Sequence, residues 1–61
     1  MDIEGIRQEA QELEVGFYEN RGIIDLDGEN GLGGTFAGKN AEQEARQWLD
    51  MYRVAKNDNE R

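Results

Sequence analysis

The sequence predicts a small α+β domain of order α-β-β-β-α, a three-stranded antiparallel sheet flanked by an N-terminal and a C-terminal helix. Three observations predict it. Apolar residues recur at spacings of three and four near both ends, they alternate with period two in the middle, and Gly and Asn mark the junctions. Residues 1–57 are expected to form one domain and 58–61 a frayed tail.

Asp2 to about Glu14 reads as the first helix, with Ile3, Ile6, Ala10 and Leu13 as its apolar stripe. Asp2 suits the N-cap, and Asp2 and Glu4 suit the positive end of the helix dipole. Gly5 weakens the first turn by up to about 1 kcal/mol relative to Ala, Glu4, Gln8 and Glu12 face away from the stripe, and Gly16 is the expected stop. Strands are expected near 15–19, 22–26 and 33–38, from the alternation around Phe17, Ile24, Leu26 and Phe36. Asn20-Arg21-Gly22 reads as a short hairpin turn, because Asn and Gly tolerate positive φ, and Asp27 to Gly31 as a wider one. Asn40 caps a second helix running to about Lys56, with Gln43 completing an approximate capping box. Its apolar face is Ala41, Ala45, Trp48, Leu49 and Tyr52, beside a mixed-charge ladder of Glu42, Arg46, Asp50 and Arg53. Trp48, Phe17, Phe36, Leu26, Ile6 and Leu13 are the expected core, and Tyr18 the expected exposed aromatic.

Composition removes several chemistries. Among 61 residues there is no Cys, His, Ser or Pro, and Thr35 is the only aliphatic hydroxyl. Zinc fingers, thiol or imidazole catalysis, disulfides and a serine nucleophile are therefore excluded. A chain of this mass has about 4,000 Å² of folded surface from about 10,000 Å² unfolded, which leaves little room for a concave substrate pocket. No enzyme activity and no cofactor are expected. The start lacks the basic and apolar regions of a secretory signal, and apolar runs are far too short to span a membrane, so a soluble cytoplasmic protein is expected.

Two motifs resemble ligand loops and fail on the residues at their key positions. An EF-hand loop begun at Asp25 needs Gly at its sixth position and Glu at its twelfth, where this chain has Asn30 and Phe36. A turn is expected instead, with at most weak divalent-cation binding by the carboxylates of Asp25, Asp27 and Glu29. Gly33 to Asn40 approximates a phosphate-binding loop, but Asn40 replaces the magnesium-holding hydroxyl and Phe36 belongs to a strand. The glycines there are expected to permit tight turns and close packing of the strand beneath Trp48.

Charge is the informative feature. The formal net charge is −7, and residues 1–30 carry all of it, nine acids against two bases, while residues 31–61 hold five of each. Nucleic acid and anionic membrane are thus disfavoured as direct ligands, and a basic protein surface is favoured. The candidate contacts are Glu4, Glu9, Glu12, Glu14, Glu19, Asp25, Asp27 and Glu29. Glu9 and Glu12 lie about one helical turn apart, about 5 Å, close to the 3.4 Å per-strand rise of duplex phosphates. Such carboxylates suit Lys and Arg sites that otherwise hold phosphates.

In its small size, lack of catalytic side chains, compact α/β order and carboxylate excess from Asp2 to Glu29, the chain resembles the small acidic anti-CRISPR inhibitors of bacteriophages. That resemblance implies action in a host cytoplasm; a monomer is expected, with a homodimer through an exposed strand edge left open. Its partner would be a CRISPR effector, for example a type I surveillance complex, bound at a Lys/Arg site meant for target DNA. Two other readings stay open: a DNA-mimic inhibitor of another DNA-binding protein, and a small accessory subunit binding through apolar contacts at Tyr18, Ile23 and Val54.

Overall fold

The computed structural model describes residues 2–59 and has the expected α-β-β-β-α order. Its elements are α1 (Ile3–Glu12), β1 (Gly16–Asn20), β2 (Ile23–Asp27), β3 (Gly33–Phe36) and α2 (Ala41–Asn59), with a 3-10 turn at Glu29–Gly31. The strands form an antiparallel meander with β2 in the centre. Of the expected tail, 58 and 59 continue α2, and 60 and 61 lie outside the described residues.

Local chemistry explains where each element stops. Asp2 caps α1, its carboxylate accepting from the Gly5 N–H at 3.1 Å. The residue that closes the helix is Glu14 rather than Gly16, two positions past the last helical residue. Glu14 takes the left-handed conformation at φ 59°, its N–H donates to the Gln11 carbonyl, and the Val15 N–H donates to the Ala10 carbonyl. These paired bonds are a Schellman closure, in which glycine usually holds the left-handed position. Val15 is thereby drawn into the core against Ala10 instead of starting β1.

In the β1–β2 hairpin Asn20 pairs with Ile23, leaving a two-residue loop with positive φ at Arg21 (53°) and Gly22 (80°). The left-handed residues are therefore Arg21 and Gly22, with Arg21 where Asn20 was expected. Glu19 accepts from the Gly22 N–H at 2.9 Å and braces the turn. The wider loop turns through left-handed Asn30 and Gly31.

Both helices pack on one side of the sheet, whose inward residues are Phe17, Ile24, Leu26, Gly34 and Phe36. The buried core is Ile6, Ala10, Val15, Ile24, Leu26, Ala41, Ala45, Leu49 and Tyr52. Of the six expected core residues only Ile6 and Leu26 are fully enclosed, while Leu13, Phe17, Phe36 and Trp48 pack around the margin. The reason is strand position: Phe17 and Phe36 sit on edge strands with one flank open, whereas Ile24 and Leu26 on the central strand are covered on both sides. Small residues at Ala10, Ala41 and Ala45 let the helices approach closely.

The glycines also differ from expectation. The Phe36 ring, not Trp48, lies over Gly34, where an added Cβ would stand 2.8 Å from it. At Gly28 an added Cβ would meet the Tyr52 ring at 2.6 Å. The α2 helix spans about 28 Å, against about 17 Å for a five-residue strand, so it is longer than the sheet it covers.

Candidate partner-binding surface

The acidic residues of the first thirty positions divide into two groups, according to whether α2 reaches them. Its bases reach Asp2, Glu9 and Glu29. Arg46 Nη2 meets Asp2 at 2.6 Å, Arg53 Nη2 meets Glu9 at 3.3 Å, and Lys56 Nζ lies 3.7 Å from Glu29. Gly5 allows the first of these, because a Cβ there would collide with the Asp2 carboxylate and approach Arg46. The Asp2 N–H also donates to Glu42 at 2.7 Å, and Arg46 Nε sits 3.9 Å from that carboxylate. Lys56 further donates to the Leu13 carbonyl at 3.4 Å, closing the end of α1 onto α2.

Helical geometry explains the asymmetry between Glu9 and Glu12. Three residues on an α-helix are about 60° apart around the axis, enough to put Glu9 on the flank beside α2 and leave Glu12 on the outer face. The Glu9 side chain is only 17% exposed. It is a component of the helix–helix seam, and the expected Glu9–Glu12 pair does not form one outward-facing unit. Glu4 pairs with Arg7, whose guanidinium also covers the Phe17 ring at 5.5 Å.

Five of the eight candidates remain without an ion pair among the described residues: Glu12, Glu14, Glu19, Asp25 and Asp27. Glu12 and Glu14 are exposed at the end of α1. Asp25 and Asp27 stand on the side of the sheet that no helix covers, in register with Tyr18 and Thr35 and with Gly16 and Gly33 respectively. Asp25 accepts a long hydrogen bond from the Thr35 hydroxyl at 3.5 Å. The same face presents Tyr18, 63% exposed, and Ile23. Glu19 projects to the other side of the sheet. Asp25 and Asp27 thus share one surface, and the carboxylates of α1 lie on the opposite side of the sheet.

Among the described residues no three potential metal-ligating side chains cluster. Asp25 and Asp27 occupy the open face while Glu29 turns to Lys56. Among the described residues no helix is long and apolar enough to cross a membrane.

A cleft along α2 was missed by the sequence reading. Leu32, Trp48, Met51, Tyr52 and Ala55 line an apolar cleft of about 170 Å³. Trp48 and Tyr52 stack within it, ring centroids 5.0 Å apart, and the Glu29 N–H donates to the Tyr52 hydroxyl at 3.1 Å, holding the loop that carries Leu32. The available signal was the 48-51-55 spacing, which continues an apolar stripe past the core-facing positions. Leu32 had none, because its role depends on where the loop docks.

No protein-family model matches the chain, and comparison with curated proteins and with solved structures gives no significant match.

Proposed function

We propose that this protein is a non-enzymatic acidic binding protein that occupies a Lys/Arg-rich site on its partner, as an anti-CRISPR inhibitor does when it takes the place of target DNA. The observation that carries the reading is the uncovered sheet face, with Asp25 and Asp27 two residues apart on the central strand and Tyr18 beside Asp25. The inward groups of that strand supply its core packing, and its outward carboxylates carry only the long Thr35-to-Asp25 hydrogen bond.

Arginine suits this face better than lysine. A guanidinium stacks on an exposed aromatic ring while its planar fork makes paired hydrogen bonds to a neighbouring carboxylate. Tyr18 and Asp25 offer both within one cross-strand pair. Asp27 lies about 6.8 Å further along the strand and provides for a second cation. Glu12 and Glu14 add to the long-range field, and to the on-rate, from another side of the molecule.

Displacement of duplex DNA from a purified type I surveillance complex tests the reading. The protein is expected to displace DNA at 50 mM salt, at least tenfold more weakly at 500 mM, and not at all as Asp25→Lys/Asp27→Lys. Undiminished displacement by that variant overturns the role of the sheet face, and failure of the unaltered protein to displace DNA overturns the choice of partner.

A further inference from the structure

The cations of α2 all lie on the flank that faces the rest of the molecule. Arg46, Arg53 and Lys56 reach Asp2, Glu9 and Glu29. At 100° per residue, the opposite flank of the helix carries Glu44, Gln47, Met51, Ala55 and Asp58 and no Lys or Arg. Although the second half of the chain is neutral in sum, this surface is acidic.

It is also apolar along one line. Glu44, Trp48, Met51, Ala55 and Asp58 follow one another at spacings of four, three, four and three, so they form a single straight stripe with a carboxylate at each end. The end carboxylates are about 21 Å apart, at 1.5 Å per residue. Between them lies the cleft that Leu32 completes. Met51 is 68% exposed and Leu32 54% exposed, and Val54 beside them is also open. At about 170 Å³ the cleft is well below the roughly 300–1,000 Å³ of small-molecule pockets, and matches one or two protein side chains.

We propose that this stripe is a docking groove for a basic amphipathic helix of a partner protein. Such a helix would place apolar residues over Trp48, Met51 and Leu32, and a Lys or Arg near each of Glu44 and Asp58. Charge decides between this occupant and a second copy of the chain. In an antiparallel pairing of two copies Glu44 of one meets Asp58 of the other, and in a parallel pairing each meets itself. Both arrangements set acid against acid, on molecules that each carry −7. A helix with cationic ends turns the same two positions into attraction. The groove lies apart from Asp25 and Asp27, so the inference stands independently of the sheet-face reading.

Trp48, the only tryptophan, lies in the groove and reports occupancy by its fluorescence. The probe is a designed 18-residue amphipathic helix with Leu at heptad core positions and Lys at both ends. A control peptide carries Glu in place of Lys. The Lys-ended peptide is expected to shift Trp48 emission saturably at 50 mM salt. Met51→Asp, at an exposed position that leaves the fold unchanged by circular dichroism, should abolish the shift. Glu44→Lys/Asp58→Lys should weaken binding at least tenfold and turn the preference toward the Glu-ended peptide, while Asp25→Asn/Asp27→Asn should leave it unchanged. Equal binding of both peptides, or no saturable shift with the Lys-ended one, overturns the proposal. So does a dimer in sedimentation that Met51→Asp dissociates.

Discussion

The seam between the two helices and the open side of the sheet use the same residue types for opposite ends. Asp2 and Glu9 at the seam, and Glu29 in the loop beside it, each meet a base from α2, and their charge is consumed within the molecule. On the open side Asp25 and Asp27 meet no base, and the strand beneath them is held by Ile24 and Leu26 on its inner face. A count of charge along the chain does not distinguish the two. What distinguishes them is whether α2 lies within reach of a side chain.

The largest expected effect comes where the seam is tied to the loop. Gly28 lies beneath the Tyr52 ring, with no room for a methyl group. Gly28→Ala must displace that ring, strain the Glu29-to-Tyr52 hydrogen bond and open the Trp48 stack. A cost of about 1–3 kcal/mol is expected, in the range of core overpacking, and a clear fall in melting temperature by circular dichroism. An equally small change on the open side, Thr35→Ala, should cost within about 0.5 kcal/mol. Equal losses from the two would erase the distinction between the regions.

Reversal of charge sharpens the comparison. Glu9→Lys faces Arg53 from a position mostly shielded from water, exchanging an attraction for a repulsion. About 1–2 kcal/mol of stability should be lost, discounted because the Arg53 side chain is 43% exposed. Asp25→Lys keeps the fold within about 0.5 kcal/mol, because nothing in the core depends on that carboxylate. Urea unfolding of the two variants side by side checks this. The open-side variant should be the one that loses its partner, and the seam variant the one that loses its fold.

The architecture was legible because periodicity is a local property. The stripe from Ile3 to Leu13 and the alternation about Ile24 and Leu26 each need only a few neighbours to be read, and the same holds for the cap at Asp2. The first strand starts at Gly16 rather than at 15 because Val15 is needed by the closure of α1, a demand that alternation does not register, and the third strand stops at Phe36, two residues short of the expected end. The candidate surface was only half legible. The carboxylates of Asp25 and Asp27 are outward for the same reason that Ile24 and Leu26 are inward. Glu9 and Glu29 could not be separated from them without knowing that Arg53 and Lys56, 44 and 27 residues later, fold back onto them. Enclosure of Tyr52 rather than Trp48 likewise depends on the docking of the Gly28–Leu32 loop.

The smallest expected effect tests whether Glu14 belongs with the open side. It stands exposed at φ 59°, in the position of the helix closure that glycine fills without a steric penalty. A side chain there costs about 1–2 kcal/mol, partly offset by the extra freedom that glycine has in the unfolded chain. Glu14→Gly should therefore stabilise the protein by about 0.5–1 kcal/mol, raising the melting temperature by about 3–6 °C. Arg21→Asn is the matching control, because Arg21 is also left-handed and exposed but adds no negative charge. Both variants should melt higher. If Glu14 contributes to the field that attracts a basic partner, Glu14→Gly alone should also slow association at low salt. A variant that gains stability and binds as before would show that the strain at this position serves only to close α1, and would confine the binding surface to the sheet.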